Sequence, residues 1–326
     1  MRQLENKLIR ARGVLRRAWS RMASTDPELV APARIVLQVD DTDLPGTMGN
    51  LDEMGTHEWH QLIAQVVEWI GPVPVTIIAT HRADDPLVDG LVRFAHRMEC
   101  HTTLVTDGTG IDEDRADMLI DVGLSAVRVL VGGVSDGVQQ QTVGNSAHEA
   151  TRAVAALLGA RRGRGAPLDV EIAIPWVDGV TVEMTAVVGW AKQAGVDGFR
   201  VVAPYKASRL PADPELLDSV VDDAATFCRN SASSIEELHS MVAHQDGGPG
   251  VASTHARRRG KCPVGGQRLV IGARRSVYSC PFHAPIGVLG DELRDVWAHA
   301  GPHLDSIASC SRACVHTELA PQPILG

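Results

Sequence analysis

The length of 326 residues suffices for a barrel-sized domain with a smaller appendage, or for two medium-sized domains. Hydrophobic residues make up 44% and charged residues 22% of the chain, which excludes a disordered protein. The net charge of -9 argues against nonspecific nucleic-acid binding, and no apolar run reaches the roughly 18 to 20 residues of a membrane-spanning helix. Because no stretch is typical of a signal peptide, we expect a cytoplasmic protein with reduced cysteines.

Residues 1–33 are predicted to contain a basic amphipathic helix. Residues 1–21 carry seven lysines and arginines and a single glutamate, so the start of the chain is basic although the whole is acidic. Apolar side chains recur there at helical spacing, namely Leu4, Leu8, Leu15 and Trp19. The helix could cover one end of the main domain, or it could contact a membrane surface, a nucleic acid or an acidic partner.

From residue 34 onward, short β-branched runs alternate with longer helical patterns, which predicts a parallel sheet or barrel. The predicted strands are 34–39, 75–79, 102–106, 126–131, 169–174 and 198–202. The predicted helices between them are 56–70, 87–98, 113–122, 147–158 and 180–194. Right-handed crossovers would curl six such strands into a partial (β/α)6 TIM-like barrel over residues 34–246.

The loops that follow the strands should hold any active site, because the carboxyl ends of parallel strands meet at one mouth of a barrel. The polar residues that could line this mouth and bind a divalent cation are Asp40, Asp41, Asp43, His81, Asp84 and Asp85. Such a site would be hydrolytic or lyase-like and metal-dependent. The alternative is ordinary turn chemistry, since aspartates followed by Pro-Gly are frequent in turns, as are the Asp-Gly and Gly-Gly pairs at 107–108 and 132–133.

A further predicted helix at 214–244 leads into a loop rich in Gly, Pro, Ser and Arg at 247–260, which we interpret as a domain boundary. Beyond it, 268–271 and 276–278 predict a hairpin with a turn at 272–275, and 291–300 predicts a helix. Residues 247–326 would then form a small cysteine-rich domain.

Four of the six cysteines fall in this last region, at Cys262, Cys280, Cys310 and Cys314. Four thiolates can hold an iron-sulfur cluster or a zinc ion, and the absence of a Cys-x2-Cys knuckle favours the cluster. A nearby histidine could replace one thiolate, and the candidates are His283, His303 and His316. Cys100 and Cys228 stand alone in their patterns, and we interpret them as buried small hydrophobes.

The cysteine region resembles the SPASM or twitch domain of radical S-adenosylmethionine (SAM) enzymes. The array Cys-x9-Gly-x7-Cys-Pro-Phe is followed by Gly290, Leu293, Val296 and Trp297 and then by the last two cysteines. The six βα units in front of it resemble the radical SAM partial barrel. The resemblance implies an auxiliary 4Fe-4S cluster on Cys262, Cys280, Cys310 and Cys314.

Two motifs of the family are missing. Radical SAM enzymes carry Cys-x3-Cys-x2-Cys after the first strand, whereas residues 40–49 of this chain contain no cysteine. They also carry Gly-Gly-Glu-Pro after the second strand, where this chain has Ala-Thr-His-Arg-Ala-Asp-Asp-Pro at 79–86. The resemblance therefore implies a degenerate member that does not cleave SAM itself.

Such a protein would bind a peptide or small-molecule substrate in its barrel, or relay electrons to a genuine radical SAM enzyme, in a biosynthetic pathway that modifies peptides or natural products. One alternative is an enzyme whose barrel mouth has acquired other chemistry through Asp40, Asp41 and His81. Another is a scaffold in which the terminal cysteines hold a structural zinc ion.

Overall fold

The structure, a computed structural model, describes residues 31–40, 52–175, 183–202, 268–279, 285–290 and 292–300. The predicted N-terminal helix, the predicted helix at 214–244, Asp41 and Asp43 lie outside these residues. So do Cys228, the three C-terminal candidate histidines and the four C-terminal cysteines.

Within the described residues, nine strands form one sheet in the order β6-β5-β4-β3-β2-β1-β7-β8-β9. The first six are β1 (Arg34–Gln38), β2 (Val75–Ile78), β3 (Thr102–Thr106), β4 (Ala126–Leu130), β5 (Asp169–Pro175) and β6 (Gly198–Val202). Each pairs in parallel with the next. Since every crossover moves one place in the same direction, the strands build the predicted α/β partial barrel, and that prediction is confirmed.

Helices fill the connections between the parallel strands. They are α1 (Thr56–Ile70), α2 (Pro86–Arg97), α3 (Glu113–Asp121), α4 (Asp136–Thr142), α5 (Ala147–Arg164) and α6 (Met184–Ala194). None of the described helices combines the length and the apolar character needed to cross a membrane.

Side-chain alternation along the strands divides the core into two layers. Ile35 and Leu37 of β1 belong to the large cluster beneath the helices. The intervening Val36 belongs to a smaller inner cluster. One residue from each of six other strands completes it: Ile78, Val105, Leu130, Ala173, Val270 and Tyr278. Apolar side chains therefore close the middle of the barrel, and polar groups are left at its ends.

The predicted hairpin is confirmed, and it joins the barrel sheet. Strand β7 (Arg268–Gly272) pairs antiparallel with β8 (Ser276–Tyr278), and Arg275 takes a positive φ of 64° in the turn. Strand β7 also pairs in parallel with β1 over its whole length. The short strand β9 (Gly287–Val288) and helix α7 (Leu293–Ala298) follow.

Three helices differ from the sequence prediction, and α6 is the simplest case because it begins at Met184 rather than at 180. Helix α5 continues to Arg164 rather than ending at 158, because Gly165 supplies a left-handed C-cap and arginines fill the last turn. The sequence indicated a glycine-rich stretch at 132–137 and no helix directly after it, but helix α4 begins at Asp136, where Ser135 caps it by accepting the backbone N–H of Val138.

Candidate functional site at the barrel mouth

The carboxyl ends of β1, β2 and β3 are neighbours in the sheet, and polar residues follow each strand within one or two positions. Asp40 comes two residues after β1, Thr80 and His81 follow β2, and Asp107 follows β3. In parallel α/β folds this edge is where ligands bind and where chemistry takes place. The three strand ends therefore define the candidate site.

Asp40 is a buried carboxylate at this edge, with only 6% of the residue exposed. One of its oxygens, Oδ2, accepts the backbone N–H of Thr80, and the backbone N–H of His81 also interacts with the carboxylate. The other oxygen, Oδ1, is buried without a hydrogen-bond partner among the described residues. Burial raises the pKa of Asp40, although the Thr80 hydrogen bonds and the proximity of His81 oppose that rise.

The side chain of His81 is joined to that of Asp107. Nδ1 of the imidazole lies 2.5 Å from Oδ2 of the carboxylate, and the second carboxylate oxygen accepts the backbone N–H of Thr109 at 2.9 Å. The Asp107 side chain is fully buried, whereas the His81 side chain is 54% exposed. The pair thus links a buried carboxylate to a ring that reaches solvent.

A chain of amide hydrogen bonds supports Asp107 from behind. Asn145 donates through Nδ2 to the carbonyl of Asp107 at 2.8 Å, and its own oxygen accepts from Nε2 of Gln139 at 2.7 Å. Gln139 in turn accepts the backbone N–H of Gly132 at 2.8 Å. All three polar side chains are buried, so helix α4 connects the ends of β3 and β4.

A glycine permits this close packing beneath the carboxylate. Gly108 has a φ of +90°, and a Cβ placed on it would lie 2.9 Å from the Cβ of Ala153 in α5. A larger residue would have to push α5 away from the sheet while adopting a left-handed backbone.

A third carboxylate joins the start of α4 to the start of α6. Glu183 accepts the backbone N–H groups of Val134 at 2.7 Å and Ser135 at 2.9 Å, together with the hydroxyl of Ser135. The Ser135 hydrogen bonds lower the pKa of Glu183. Because these donors already occupy the carboxylate of Glu183, we interpret this residue as a structural one that connects α4 to α6.

The structure brings together only some of the residues that the sequence singled out. Asp40 and His81 meet at the mouth. Asp85 instead caps α2 by accepting the backbone N–H of Leu87 and pairs with Arg82, while Asp84 is exposed and lies against Gly110. Across the described residues, no group of three or more His, Cys, Asp or Glu side chains could hold a metal ion. Because Asp41 and Asp43 lie outside those residues, the predicted cation site stays a prediction.

Sequence reasoning treated Asp107 as a turn residue and missed its partnership with His81. A signal was nevertheless present, since β3 is buried at all five positions and ends directly at an aspartate. A carboxylate that directly extends a fully buried strand needs a partner.

Cys100 is buried in the main core cluster, as predicted, and burial raises the pKa of its thiol.

No protein-family model and no curated protein matches the chain. Solved structures do match it. SuiB from Streptococcus suis, bound to SAM, superposes with a TM-score of 0.58 at 11% identity, over 82% of this chain and 64% of SuiB. The enzyme anSMEcpe with bound SAM gives 0.60 at 12% identity, over 86% of this chain and 84% of its own. Both are radical SAM enzymes.

This chain has the radical SAM fold. The resemblance inferred from the sequence is confirmed at that level, and the chain spans about two thirds of the length of SuiB. Further structures of the same two proteins contain peptides: SuiB with its precursor peptide SuiA, and anSMEcpe with SAM and the peptide Cp18Cys.

The residues at the first strand end do not fit the SAM-binding 4Fe-4S cluster of that fold. The cluster is held by thiolates, and the chain has no cysteine before Cys100. The first loop opens with Asp40, a hard oxygen donor whose Oδ2 is already hydrogen-bonded to Thr80.

Proposed function

We propose that this chain is a degenerate radical-SAM-like iron-sulfur protein that does not itself cleave SAM. It binds a peptide or small-molecule substrate, or it passes electrons to a partner radical SAM enzyme, within a biosynthetic pathway. The observation that carries the proposal is the carboxylate of Asp40, which stands without any cysteine at the strand end where the fold places its catalytic cluster.

The hydrogen bonds of Asp40 support this proposal. The end of β1 and the segment after β2 are the two places where radical SAM enzymes handle the cluster and SAM, and here they bind each other through Asp40 and Thr80. Both positions are therefore used for internal structure. A cluster loop rebuilt on this edge would first have to release the Thr80 backbone N–H, which would then be left without a partner.

A peptide fits the proposal because two proteins of this fold have been crystallised with peptides. The described barrel offers a polar mouth above an apolar middle layer, which suits an extended chain with mixed side chains. The predicted basic helix in residues 1–33 adds a surface for an acidic partner. Reducing conditions in the cytoplasm would keep the cysteines available as ligands.

The four C-terminal cysteines provide the thiolates for an auxiliary cluster, which when bound would supply one-electron transfer. Cys262 precedes β7 and Cys280 follows β8, so the two flank the hairpin in sequence. An antiparallel hairpin brings its two ends close together. That arrangement supports a shared metal at the base of the hairpin.

Anaerobic purification followed by iron, sulfide and zinc analysis tests the cluster. We expect about four iron and four sulfide ions per chain, as in a 4Fe-4S centre. The variants Cys262→Ser and Cys280→Ser should lose the iron, whereas the matched control Cys100→Ala should keep it because Cys100 is a core residue. One zinc ion with no iron would overturn the cluster and favour the structural zinc alternative.

A second assay tests the missing SAM chemistry. The purified protein is incubated with SAM and dithionite, and 5′-deoxyadenosine is measured by chromatography. We expect none above the level of a protein-free control. Formation of 5′-deoxyadenosine with multiple turnovers would contradict the proposal.

A further inference from the structure

We propose that His81 and Asp107 form a proton-transfer dyad at the barrel mouth, in which Nε2 of His81 accepts the proton of a thiol or hydroxyl group on a bound substrate. Asp107 is the positioning residue of the pair. This inference goes beyond the proposed function, and it does not depend on the cysteines or on any metal.

The tautomer of His81 follows from the two atoms that its ring presents. A carboxylate accepts hydrogen bonds, so Nδ1, at 2.5 Å from Oδ2 of Asp107, must carry the proton in the neutral ring. The second carboxylate oxygen is engaged by the backbone N–H of Thr109. Asp107 therefore has fixed donors on both oxygens, and Nε2 of His81 keeps its lone pair.

The ring of His81 is accessible to solvent at the end of the strands. The His81 side chain is 54% exposed, and its one side-chain hydrogen bond to a described residue is made through Nδ1, not Nε2. A Cβ built on Gly144 would lie 4.0 Å from Cε1 of the ring, so the ring extends across the end of β3 toward the loop between α4 and α5. The lone pair is thus held at the edge where ligands of parallel α/β folds bind.

An ordinary surface histidine needs no such support. Placing a carboxylate at 0% exposure is costly unless it gains strong hydrogen bonds. Here the carboxylate is nevertheless buried, and the backbone of Asp107 is held in place because Asn145 donates a hydrogen bond to its carbonyl. A rigid buried orienting group behind a solvent-facing imidazole is the arrangement that general bases require.

The proton transfer is balanced without a redox partner. The S–H or O–H bond of the substrate breaks, its electron pair stays on sulfur or oxygen, and a new N–H bond forms at Nε2. The resulting imidazolium is stabilised by the Asp107 carboxylate. A thiol is the most acidic of the common neutral side-chain groups, so it would release its proton most readily. Among the described residues, charged groups close to His81 include Asp40, which interacts with its backbone N–H, and Arg82, which pairs with Asp85.

Chemical modification of the full-length protein tests the lone pair on Nε2. Diethyl pyrocarbonate reacts with an unprotonated imidazole nitrogen, and peptide mass spectrometry gives the rate at each histidine. Exposed His148 serves as the internal reference. In Asp107→Asn the new amide can donate to Nδ1 and move the ring proton to Nε2, so the His81 rate should fall about tenfold while the His148 rate is unchanged.

The matched control is Asp84→Asn, because it removes an exposed carboxylate three positions after His81 that forms no hydrogen bond or ion pair with the ring. This variant should leave the ratio of the two rates unaltered. An unchanged ratio in Asp107→Asn, or an equal fall in Asp84→Asn, would overturn the dyad.

A measurement on the unaltered protein keeps the test independent of folding in the variant. Nitrogen-15 NMR of labelled histidines, with His81→Gln used for assignment, reports which ring nitrogen carries the proton. We expect a protonated Nδ1 with a strongly downfield proton, as a short hydrogen bond to a carboxylate produces. A proton on Nε2 would overturn the inference.

Iron content, measured on the same samples, should be equal in Asp107→Asn and the unaltered protein, so failure of the cluster and failure of the dyad are separate outcomes.

Discussion

Two buried aspartates at neighbouring strand ends have different surroundings and therefore different chemistry. Both carboxylate oxygens of Asp107 have hydrogen-bond partners, namely the ring of His81 and the backbone N–H of Thr109. Asp40 has one oxygen bonded to Thr80 and one with no partner among the described residues, and burial raises its pKa. Pairs of carboxylates with such unequal surroundings commonly take separate roles in proton transfer.

The raised pKa of Asp40 predicts that Asp40→Asn becomes relatively more stable as the pH rises. The folded chain holds the Asp40 proton more tightly than the unfolded chain does, so this group stabilises the fold below its ordinary value of 3.8. That contribution is lost as the pH rises from there through the raised pKa. The difference in free energy of unfolding between Asp40→Asn and the unaltered protein should therefore grow in favour of the variant from acid to neutral pH.

Urea unfolding at a series of pH values measures this difference. The same substitution at exposed Asp84 is the control, and its effect should not follow the Asp40 trend. A difference for Asp40→Asn that stays constant with pH would contradict the assignment.

Gly108 predicts a steric and conformational penalty beneath the dyad. In Gly108→Ala the new Cβ would meet Ala153 at 2.9 Å and hold alanine at a φ of +90°. We expect a loss of about 2 kcal/mol in the free energy of unfolding. Gly159→Ala in α5 is the matched control, because nothing lies within 4 Å of its Cβ position, and alanine there should stabilise the helix by about 0.5 to 1 kcal/mol. Denaturant unfolding of both variants provides the measurement, and equal effects would contradict it.

At the scale of elements, the strands were predictable because strands that are buried on both faces consist of continuous runs of β-branched residues. Every described barrel strand ends within one residue of its prediction. Helix α4 was not predictable, because its buried residues are Gln139 and Thr142 and it has no apolar stripe. Those polar side chains are buried because they form hydrogen bonds, and Gln139 forms them with other parts of the chain. A local sequence pattern does not identify such hydrogen-bond partners.

The same reason explains what was missed in the candidate site. Asp40 and His81 could be singled out because strand ends of a barrel converge on one mouth. The pairing of His81 with Asp107 joins residues 26 positions apart, and it depends on how two loops project from their strands. The spacing of residues in the sequence does not predict the direction in which these loops project.

The contact between β4 and β5 includes an ion pair that should contribute to holding the strands together. Nε of Arg128 lies 2.8 Å from Oε2 of Glu171, the two residues are register partners, and their side chains are only 10% and 17% exposed. Arg128→Met would leave the carboxylate buried with fewer partners, and we expect it to cost about 3 kcal/mol of stability. Replacing both residues by Met should recover most of that loss.

A double-mutant cycle with urea unfolding measures the coupling. The pair of Arg164 with Asp117, also at 2.8 Å but 38% and 45% exposed, is the matched control and should show much weaker coupling because solvent screens it. Similar coupling energies at the two sites would show that burial is not the deciding factor.

For the molecule as a whole, the C-terminal hairpin forms part of the barrel sheet. Strand β1 lies between β2 and β7 and pairs in parallel with both. The sequence predicted the hairpin but assigned it to a separate domain at 247–326, since nothing in a hairpin pattern states which other strand it will join. The domain boundaries themselves stay a prediction. The pairing gives the proposed cluster a mechanical connection to the first strand of the candidate site.

That connection predicts how loss of the proposed metal spreads through the sheet. Removing iron would free the segments before β7 and after β8, so the backbone amides of both strands should exchange with deuterium faster. Strand β1 should show a smaller increase because β2 still pairs with it, and β3 to β5 should be unchanged. Hydrogen-exchange mass spectrometry of the protein before and after chelation gives these rates.

Cys262→Ser, which should contain no iron at the outset, controls for the chelator itself and should not respond to it. A uniform increase over all strands would mean that the metal stabilises the entire barrel, and no increase at β7 and β8 would separate the hairpin from the cysteines.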